Sequence, residues 1–333
     1  MGVGMITAAM ITVGAAIATH LVLRRRNRAR RHGSVTLATS VKSPFLPTAV
    51  FIHGMDSSRI TWSRVIGDLT GLGYPTLGID LRGHGESDCG DVNEFSAHSI
   101  AADVLQAIRD TGIERAVLIG HSLGGQVVMR AAAIDASSMR PLLVSVVIED
   151  IDVRERPASD YHADVATLTD SERTALASFE RLDGRRFATE EDARAALGPW
   201  YANPWAGPAD IYFGNKEGLH FVRKTRGAWW SDVNPRAQRL SIECVLGGDG
   251  SRAWDELGAY ESLPFPLHLW CADENTGSVI RRQGPGGLED MRRRLPATIV
   301  RIFRGARHSI HHTARAEYVE AVCEVIEAAA LQQ

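Results

Sequence analysis

The sequence predicts an α/β fold, in which a mostly parallel central sheet is flanked by helices and carries an inserted, mainly helical cap. Two observations predict it. Short apolar runs that suit buried strands alternate with segments of helical spacing in the first half of the chain and again near its end. Between those stretches, from about residue 153 to residue 262, the alternation stops. This break indicates an insertion into one domain rather than two tandem domains.

The first four elements of the core are predicted between residues 34 and 80. Ser34–Val41 alternates enough to be a strand, and Ala49–His53 is a short β-rich apolar run that ends in His-Gly. Trp62–Leu72 has helical spacing and stops among glycines. Thr76–Asp80 follows as a second apolar run, so we predict strand, strand, helix and strand.

The next four elements continue the same alternation. Ser99–Thr111 is an amphipathic helix closed by a glycine, and Ala116–Gly120 is a buried strand. A helix is predicted from about Leu123 to Ala136. Leu142–Glu149 is a long Val/Ile run, which is typical of a central strand.

The alternation resumes after the insertion with the strands Pro266–Cys271 and Thr298–Phe303 and a closing helix, Ala314–Ala330. We therefore assign the core to residues 34–152 and 263–333 and the helical cap to residues 153–262. Five of the seven tryptophans lie in the cap. Its aromatic side chains could roof an apolar acyl pocket, or they could be ordinary packing residues: Trp200, Tyr201, Trp205, Tyr212, Phe213, Trp229 and Trp230.

Length and composition narrow the class of protein. The 333 residues suffice for one large α/β domain with an inserted subdomain, and 44% hydrophobic with 23% charged residues is typical of a globular protein. A net charge of −3 argues against a nucleic-acid binder, which usually has a basic face. The four cysteines are scattered and form no C-x-x-C pair, so we expect reduced thiols and no zinc site.

The N-terminal segment has a composition of its own. Residues 1–23 contain no Asp, Glu, Lys or Arg, and as a helix they would rise about 34 Å, enough for a bilayer core of about 30 Å. Six arginines follow in residues 24–33, and such charges favour the cytoplasmic side. We predict a membrane-anchor helix, an arginine-rich linker and a body on the cytoplasmic face. The alternatives are a cleaved signal peptide and a weakly hydrophobic extension that is disordered or lies on the membrane surface. Without an anchor, the expected location is the cytoplasm.

The strongest chemical signal is the sequence G-H-S-L-G at Gly120–Gly124. It follows a predicted strand and opens a predicted helix, which is the context that a nucleophile elbow requires. Small residues leave room for neighbouring backbone in that tight turn, so Ser122 would stand at the carboxyl edge of the sheet. The alternative is a helix-capping serine after a glycine turn. We predict that Ser122 is a catalytic nucleophile.

A serine hydroxyl needs a base, and His308 lies just past the last predicted strand at the same sheet edge. His311 and His312 are rivals on composition, but they begin the approach to the final helix, and we expect them either at the surface or in a supporting position behind the site residues. Because no acidic or cysteine partner lies at a suitable spacing, the H-x-x-H-H sequence does not predict a metal site.

Two places along the chain could supply the acid that orients this histidine. Asp150 ends the long fifth strand, whereas Asp273 and Glu274 follow the strand that ends at Cys271. Either gives the chain order Ser, acid, His. A hinge role for Asp150 and a solvated turn for the other two are the structural alternatives.

An oxyanion hole must present two backbone N–H groups to the charge that develops on the carbonyl oxygen. Leu123, the residue after the proposed nucleophile, is expected to supply one. Met55 is expected to supply the second, because it follows His53-Gly54 at the end of a strand and a glycine lets this backbone come close.

Taken together, these residues resemble the α/β-hydrolase superfamily, which implies an α/β-hydrolase fold from about residue 34 onward. Three motifs carry the resemblance: H-G-M-D-S-S at 53–58, D-L-R-G-H-G-E-S at 80–87 and G-H-S-L-G-G at 120–125. Asp80, Arg82 and His84 of the second motif are expected to shape a loop. A serine replaces the aspartate that dehalogenases and epoxide hydrolases use, which argues against both activities.

The resemblance also narrows the choice of acid. V-V-I-E-D-I-D-V, at 146–153, spans the end of the fifth predicted strand of this chain. It looks like the end of the strand that is counted as strand six in small capped esterases of this superfamily, and in those esterases the triad acid follows that strand. The G-x-x-D of strand seven is Cys271-Ala272-Asp273-Glu274 here, without the glycine. The resemblance therefore favours Asp150 over Glu274 and Asp273.

The expected function is hydrolysis of a carboxylic ester, thioester or lactone through a Ser-His-Asp triad and an acyl-enzyme, with no metal or organic cofactor. The expected partner is a small apolar acyl substrate, with membrane association through residues 1–23 and no nucleic acid. Two other interpretations stay open. One is a ligand-sensing binding protein of the same fold with little turnover; the other is a lyase or a cofactor-free oxidative enzyme.

Overall fold

A computed structural model describes residues 35–38, 46–55, 57–155, 186–192, 222–225, 228–231, 234–246 and 249–332. The predicted anchor helix 1–23 and the predicted arginine-rich linker 24–33 lie outside these residues, as do Trp200, Tyr201, Trp205, Tyr212 and Phe213 of the predicted cap. Among the helices within the described ranges, none is both long enough and apolar enough to cross a bilayer.

Among the described strands, those outside residues 153–262 follow the predicted runs to within a few residues. In chain order they are β1 (Val35–Ala38), β2 (Thr48–Ile52), β3 (Thr76–Ile79), β4 (Ala116–His121), β5 (Leu143–Glu149), β6 (Arg186–Phe187), β7 (Val222–Thr225), β8 (Ala228–Ser231), β9 (Leu267–Cys271) and β10 (Ile299–Ile302).

The helices lie between them. They are α1 (Ser63–Gly71), α2 (Ala97–Asp110), α3 (Leu123–Ala136), α4 (Pro235–Cys244), α5 (Asp249–Gly258), α6 (Leu288–Arg294), α7 (Ile310–Thr313) and α8 (Arg315–Ala330). A 3₁₀ turn at Arg59–Trp62 precedes α1. The helix predicted from Leu123 to Ala136 is confirmed at both ends.

Seven strands form the central sheet, in the order β1-β3-β2-β4-β5-β9-β10. Every neighbouring pair is parallel except β1 with β3, which is antiparallel with Val35 opposite Ile79. The predicted mostly parallel sheet is confirmed. Because parallel strands end at the same edge, the carboxyl ends of β2, β4, β5 and β9 bring their loops together.

Helices cover both faces of the sheet, and each face has its own apolar core. One core contains residues of α2 and α3 together with Trp254 of α5. The other joins Trp62 to Tyr318 and Ile326 of α8. The strands are therefore buried on both sides, which explains why they are continuous apolar runs rather than alternating ones.

The described part of residues 153–262 contains strands as well as helices. β6, β8 and β7 form a small antiparallel sheet in that order, followed along the chain by α4 and α5. The sequence did not predict these strands, because segments of two to four residues are too short to show an alternation. Arg130 of α3 pairs with Asp249 and Glu256, which fixes α5 on the core.

Two glycines of the G-H-S-L-G sequence let α3 approach the strand ends. A Cβ atom on Gly124 would lie 2.5 Å from the carbonyl oxygen of His53 and 2.6 Å from that of Ile52. A Cβ atom on Gly120 would lie 2.3 Å from the carbonyl oxygen of Gly124. Since those atoms are backbone and cannot move aside, only glycine fits at either position.

Replacement of Gly124 by alanine should therefore destabilise the fold, by about 1–3 kcal/mol or more, because the new methyl group overpacks against backbone. Gly67→Ala is the matched control: Gly67 lies in α1, and a methyl group there would have no neighbouring atom within 4 Å. That change should stabilise the protein by about 0.5–1 kcal/mol. Urea unfolding of both variants measures the difference, and equal midpoints would contradict the packing argument.

Candidate active site

Ser122 lies at the turn between β4 and α3 with a left-handed backbone, φ 52° and ψ −118°. Its N–H donates to the carbonyl oxygen of Glu149 at 2.9 Å, and its own carbonyl accepts from Gly125 N–H at 2.7 Å. Positive φ is strained for a serine, and such strain persists only where the surroundings fix it. These contacts give the geometry of a nucleophile elbow.

Asp150 directly follows β5 and is the other non-glycine residue with positive φ among the described ranges, at 45°. Its carboxylate is wholly buried and accepts four hydrogen bonds. The donors are Ala272 N–H at 2.9 Å, the Ser278 hydroxyl at 2.6 Å, Val279 N–H at 3.0 Å and Nδ1 of His308 at 2.8 Å. A buried carboxylate needs such a shell to stay ionised.

His308 lies in the loop between β10 and α7, and its ring is 18% exposed. Because Nδ1–H donates to Asp150, the lone pair belongs to Nε2, the nitrogen that a general base must present. Among the hydrogen bonds between described residues, none joins the Ser122 hydroxyl to His308. Such bonds are often long without substrate and tighten in the complex.

The two rival carboxylates have other partners. Asp273 accepts from Gly305 N–H at 2.8 Å and from Asn275 N–H at 2.9 Å, and the bond from Gly305 is the main cause that lowers the pKa of this exposed carboxyl. Glu274 is exposed and faces Arg282 at 4.0 Å. Of the three candidate acids, Asp150 is therefore the one that contacts His308 in the structure.

Gly54 brings the end of β2 against the turn that carries Ser122. A Cβ atom on Gly54 would lie 3.3 Å from Cβ of Ser122 and 2.8 Å from Nδ1 of His121. Within the described residues, the N–H groups of Met55 and Leu123 donate to no other group. Gly54 therefore brings the end of β2, which leads into the predicted donor Met55, against the turn that contains Ser122 and the predicted donor Leu123.

The side chain of His53 orients one of these donors. Its Nδ1–H donates to the carbonyl oxygen of Gly54 at 2.7 Å, and its Nε2 accepts from Leu81 N–H at 3.0 Å. In a trans peptide the C=O and the following N–H point in opposite directions. His53 is buried. Its bond to the Gly54 carbonyl therefore turns the N–H of Met55, which belongs to the same peptide, away from the His53 ring.

The D-L-R-G-H-G-E-S motif makes the contacts expected of a structural loop. Asp80 accepts from the backbone and side chain of Arg59 and from Glu86 N–H at 3.0 Å. Arg82 Nε donates to Asp103 at 2.8 Å, and the His84 ring lies 3.0 Å from the carbonyl of Arg82. These bonds hold the loop beneath His53 and hence beneath the Gly54–Met55 peptide.

Of the two positions expected for His311, at the surface or behind the site residues, the structure shows the second. Its ring is 1% exposed, and its Nδ1 and backbone N–H donate to Glu149 at 2.8 and 3.2 Å. Glu149 and Asp150 thus each accept a hydrogen bond from one histidine of the same C-terminal segment, residues 308–311. The partners are 162 residues apart in the chain, so spacing in the sequence could not reveal the pair. The available signals were the consecutive acids and the H-x-x-H spacing.

His121, Glu149 and His311 have donor atoms within 4.8 Å of one another, the kind of set that can hold a metal ion. The argument that the histidines lack an acidic partner therefore does not hold in the folded chain. Both oxygens of Glu149 already accept hydrogen bonds, and Nε2 of His311 is bonded to the Thr61 hydroxyl at 3.2 Å. We interpret Glu149 and His311 as a hydrogen-bonded pair against which the His121 ring packs.

Comparison with known proteins agrees with this fold. Residues 49–321 match the model of the alpha/beta hydrolase family. An esterase of Mycobacterium tuberculosis is 33% identical over 272 residues, which cover 78% of this chain and 82% of that protein. A 2-succinyl-6-hydroxy-2,4-cyclohexadiene-1-carboxylate synthase of Klebsiella pneumoniae is 36% identical, with 70% of this chain and 79% of that protein covered.

Other relatives match over shorter stretches. The chain spans only 19% of a bifunctional epoxide hydrolase of Sus scrofa and 29% of an epoxide hydrolase of M. tuberculosis, at 30% and 34% identity. A solved structure of the M. tuberculosis esterase superposes with a TM-score of 0.64 at 22% identity, covering 95% of this chain and 94% of that one. At that identity the superposition supports the fold alone.

Burial keeps several histidines neutral in the folded protein. Desolvation lowers the pKa of His311 to about 3, that of His312 to about 2 and that of His268 to about 4. It also lowers the pKa of His53 and of His121 well below the usual range. Each of these histidines has the ordinary histidine pKa of about 6.5 only when the chain is unfolded.

We therefore expect the fold to be acid-labile. Because these folded-state pKa values are depressed, the stability they contribute is present above pH 6.5 and is lost as pH falls toward 4. Each such histidine steepens the loss by about 1.4 kcal/mol per pH unit. His268→Gln should reduce the slope of unfolding free energy against pH by about one proton, measured by urea unfolding at a series of pH values. An unchanged slope in His268→Gln would contradict this expectation.

Proposed function

The chain belongs to the alpha/beta hydrolase family, and on that premise we propose that it is a serine hydrolase which cleaves a carboxylic ester, or a close relative such as a thioester or lactone. One observation carries the proposal. The buried Asp150 carboxylate holds Nδ1 of His308 at the sheet edge where Ser122 stands in a strained turn. This is the arrangement that turns a serine hydroxyl into a nucleophile.

In the proposed reaction, the Ser122 oxygen attacks the substrate carbonyl while Nε2 of His308 takes the hydroxyl proton. Asp150 stays ionised and stabilises the imidazolium that forms. The N–H groups of Met55 and Leu123 receive the negative charge on the carbonyl oxygen, an interaction worth about 3–4 kcal/mol per donor in comparable sites.

The tetrahedral intermediate then collapses, and the bond from the carbonyl carbon to the leaving oxygen or sulfur breaks. His308 returns its proton to that leaving group, which leaves an acyl-enzyme on Ser122. A water molecule, deprotonated by His308, then attacks the acyl carbon. The bond from that carbon to Oγ of Ser122 breaks, His308 returns the proton to Oγ, and the carboxylic acid leaves. The cycle needs no metal ion or organic cofactor for its atoms and charges to balance.

The likeness to an esterase over most of both chains supports an ester as the substrate. The serine at position 122, where the family resemblance would require an aspartate for epoxide opening, sets this chain apart from the epoxide hydrolases that it also matches. We assign the choice of acyl group to the cap, residues 153–262, whose aromatic residues favour an apolar group.

A second candidate is a reaction other than hydrolysis on the same triad, such as a lyase reaction, and the 36% identity to a K. pneumoniae protein named as a synthase favours it. Pre-steady-state kinetics separate the two. A hydrolase that passes through an acyl-enzyme releases a burst of nitrophenol equal to the enzyme concentration when deacylation is slow, and mass spectrometry then finds the acyl group on Ser122.

Wild-type protein should react covalently with a fluorophosphonate probe, and Ser122→Ala should abolish labelling because the nucleophilic oxygen is gone. The variant should also lose at least about 10³-fold in kcat on nitrophenyl esters, for which kcat/KM of the wild type should rise from acetate to octanoate. Folded wild-type protein that neither labels nor turns over any ester of the series would refute the proposal and favour a binding role.

Replacement of Asp150 by asparagine should lower kcat about 10³–10⁴-fold, because the amide stabilises neither the required tautomer nor the imidazolium. Glu274→Gln is the matched control, since Glu274 is the rival acid and lies exposed. It should leave kcat within about twofold, with kinetics on nitrophenyl butyrate as the measurement. If Glu274→Gln were the variant that lost activity, the triad assigned here would be wrong.

A further inference from the structure

A buried polar cluster lies directly behind the proposed catalytic histidine, and the proposed reaction uses none of its members. We define the Glu149 network as Glu149, His121, His311 and Tyr318. All four side chains are nearly or fully buried. Burying so many polar groups costs free energy unless they are bonded to one another, so their arrangement is specific.

Glu149 and His311 form the fixed end of the network. Oε1 of Glu149 accepts from Nδ1 and from the backbone N–H of His311, and Oε2 accepts from the Tyr318 hydroxyl at 2.9 Å. Because Nδ1 of His311 carries the proton, its Nε2 accepts from the Thr61 hydroxyl. Four segments of the chain are joined at this one pair.

His121 lies between this pair and the active site. Its ring centroid is 4.6 Å from that of His308 and 4.8 Å from that of His311, edge-on to the latter. Its Nε2 is 3.2 Å from the backbone carbonyl oxygen of His308. A carbonyl oxygen only accepts, so Nε2 of His121 must carry the proton and donate.

The position of His121 in the chain makes this bond important for the site. His121 is the last residue of β4 and immediately precedes Ser122. Its side chain therefore links the turn of the nucleophile to the main chain of the histidine loop, while the Glu149 carbonyl accepts from Ser122 N–H on the other side.

We propose that His121 is a positioning residue: its Nε2–H bond to the carbonyl of His308 holds the catalytic imidazole in reach of the Ser122 hydroxyl. The Glu149–His311 pair supports the His121 ring from behind. This inference rests on the proposed serine-hydrolase function. Displacements of about 1 Å in such sites can cost about 10²-fold in rate, so the bond has a measurable consequence.

The charge state of the network is consistent with this role. The groups that face His121 are Glu149 from β5 and His308, His311 and His312 from the C-terminal loop and α7. Burial lowers the pKa of both His121 and His311, so they are neutral near pH 7. Two neutral rings beside His308 add no positive charge that would oppose the protonation of His308 during catalysis.

The test compares His121→Gln with His121→Leu and His121→Asn on a nitrophenyl ester. The glutamine amide can place an N–H near the position of Nε2, whereas leucine has no donor and the asparagine amide is too short to reach. We expect Leu and Asn to lower kcat about 10–100-fold with KM within about threefold, and Gln to keep kcat within about threefold. His268→Leu, a histidine of β9 outside the network, is the control and should keep full kcat.

Thermal unfolding separates a positioning role from a structural one. The Leu and Asn variants should lose kcat alike although one residue is apolar and the other polar, and the loss should not follow the change in their melting temperature. If Leu does not fold, the contrast between Gln and Asn carries the test. Wild-type kcat retained within threefold in the folded Asn or Leu variant would overturn the positioning role and leave the serine-hydrolase proposal standing. A wild type that fails to hydrolyse esters or to label at Ser122 would refute the proposed function itself.

Discussion

The arrangement of the site depends on one buried carboxylate. Asp150 is excluded from water, and an ionised group in that position is tolerated only when donors surround it. Its four donors come from three separate segments: the residue after β9, the loop at Ser278 and Val279, and the loop of His308. The need to satisfy one charge therefore fixes the relative positions of loops that are more than a hundred residues away from it in the chain.

The strain in the backbone lies at the same place. Ser122 and Asp150 follow the neighbouring strands β4 and β5, and both have positive φ although neither is glycine. The Ser122 N–H is bonded to the carbonyl of Glu149, and the Asp150 N–H to that of Trp270. Each turn is thus held by the backbone of the next strand in the sheet, so the rigidity of the parallel sheet sustains both strained residues.

Periodicity and local turn chemistry were sufficient to predict the strands and helices of the core. Long apolar runs such as Leu143–Glu149 and the helix after Ser122 are local features, so the sequence predicted their bounds to within a residue or two. The acid stayed open until the resemblance favoured Asp150, because strand order alone allows either loop. The Glu149–His311 pair and the short strands β6 to β8 were missed, since long-range contacts and segments of two to four residues leave no periodic signal.

The contacts of Asp273 explain why the loop after β9 does not supply the carboxylate that binds the His308 ring, whereas the residue after β5 does. Asp273 accepts from Gly305 N–H, and its own N–H donates to the carbonyl of Ala306, so it binds the start of the histidine loop. A carboxylate engaged there faces the backbone of that loop rather than the ring of His308. The loop is then held at its start by Asp273, at its end by Glu149 through His311, and at the imidazole by Asp150. Three acids from two neighbouring strand ends thus fix one loop. Of these acids, Asp150 binds the imidazole, because its bonds to Ala272, Ser278 and Val279 hold its carboxylate in the interior beside the ring.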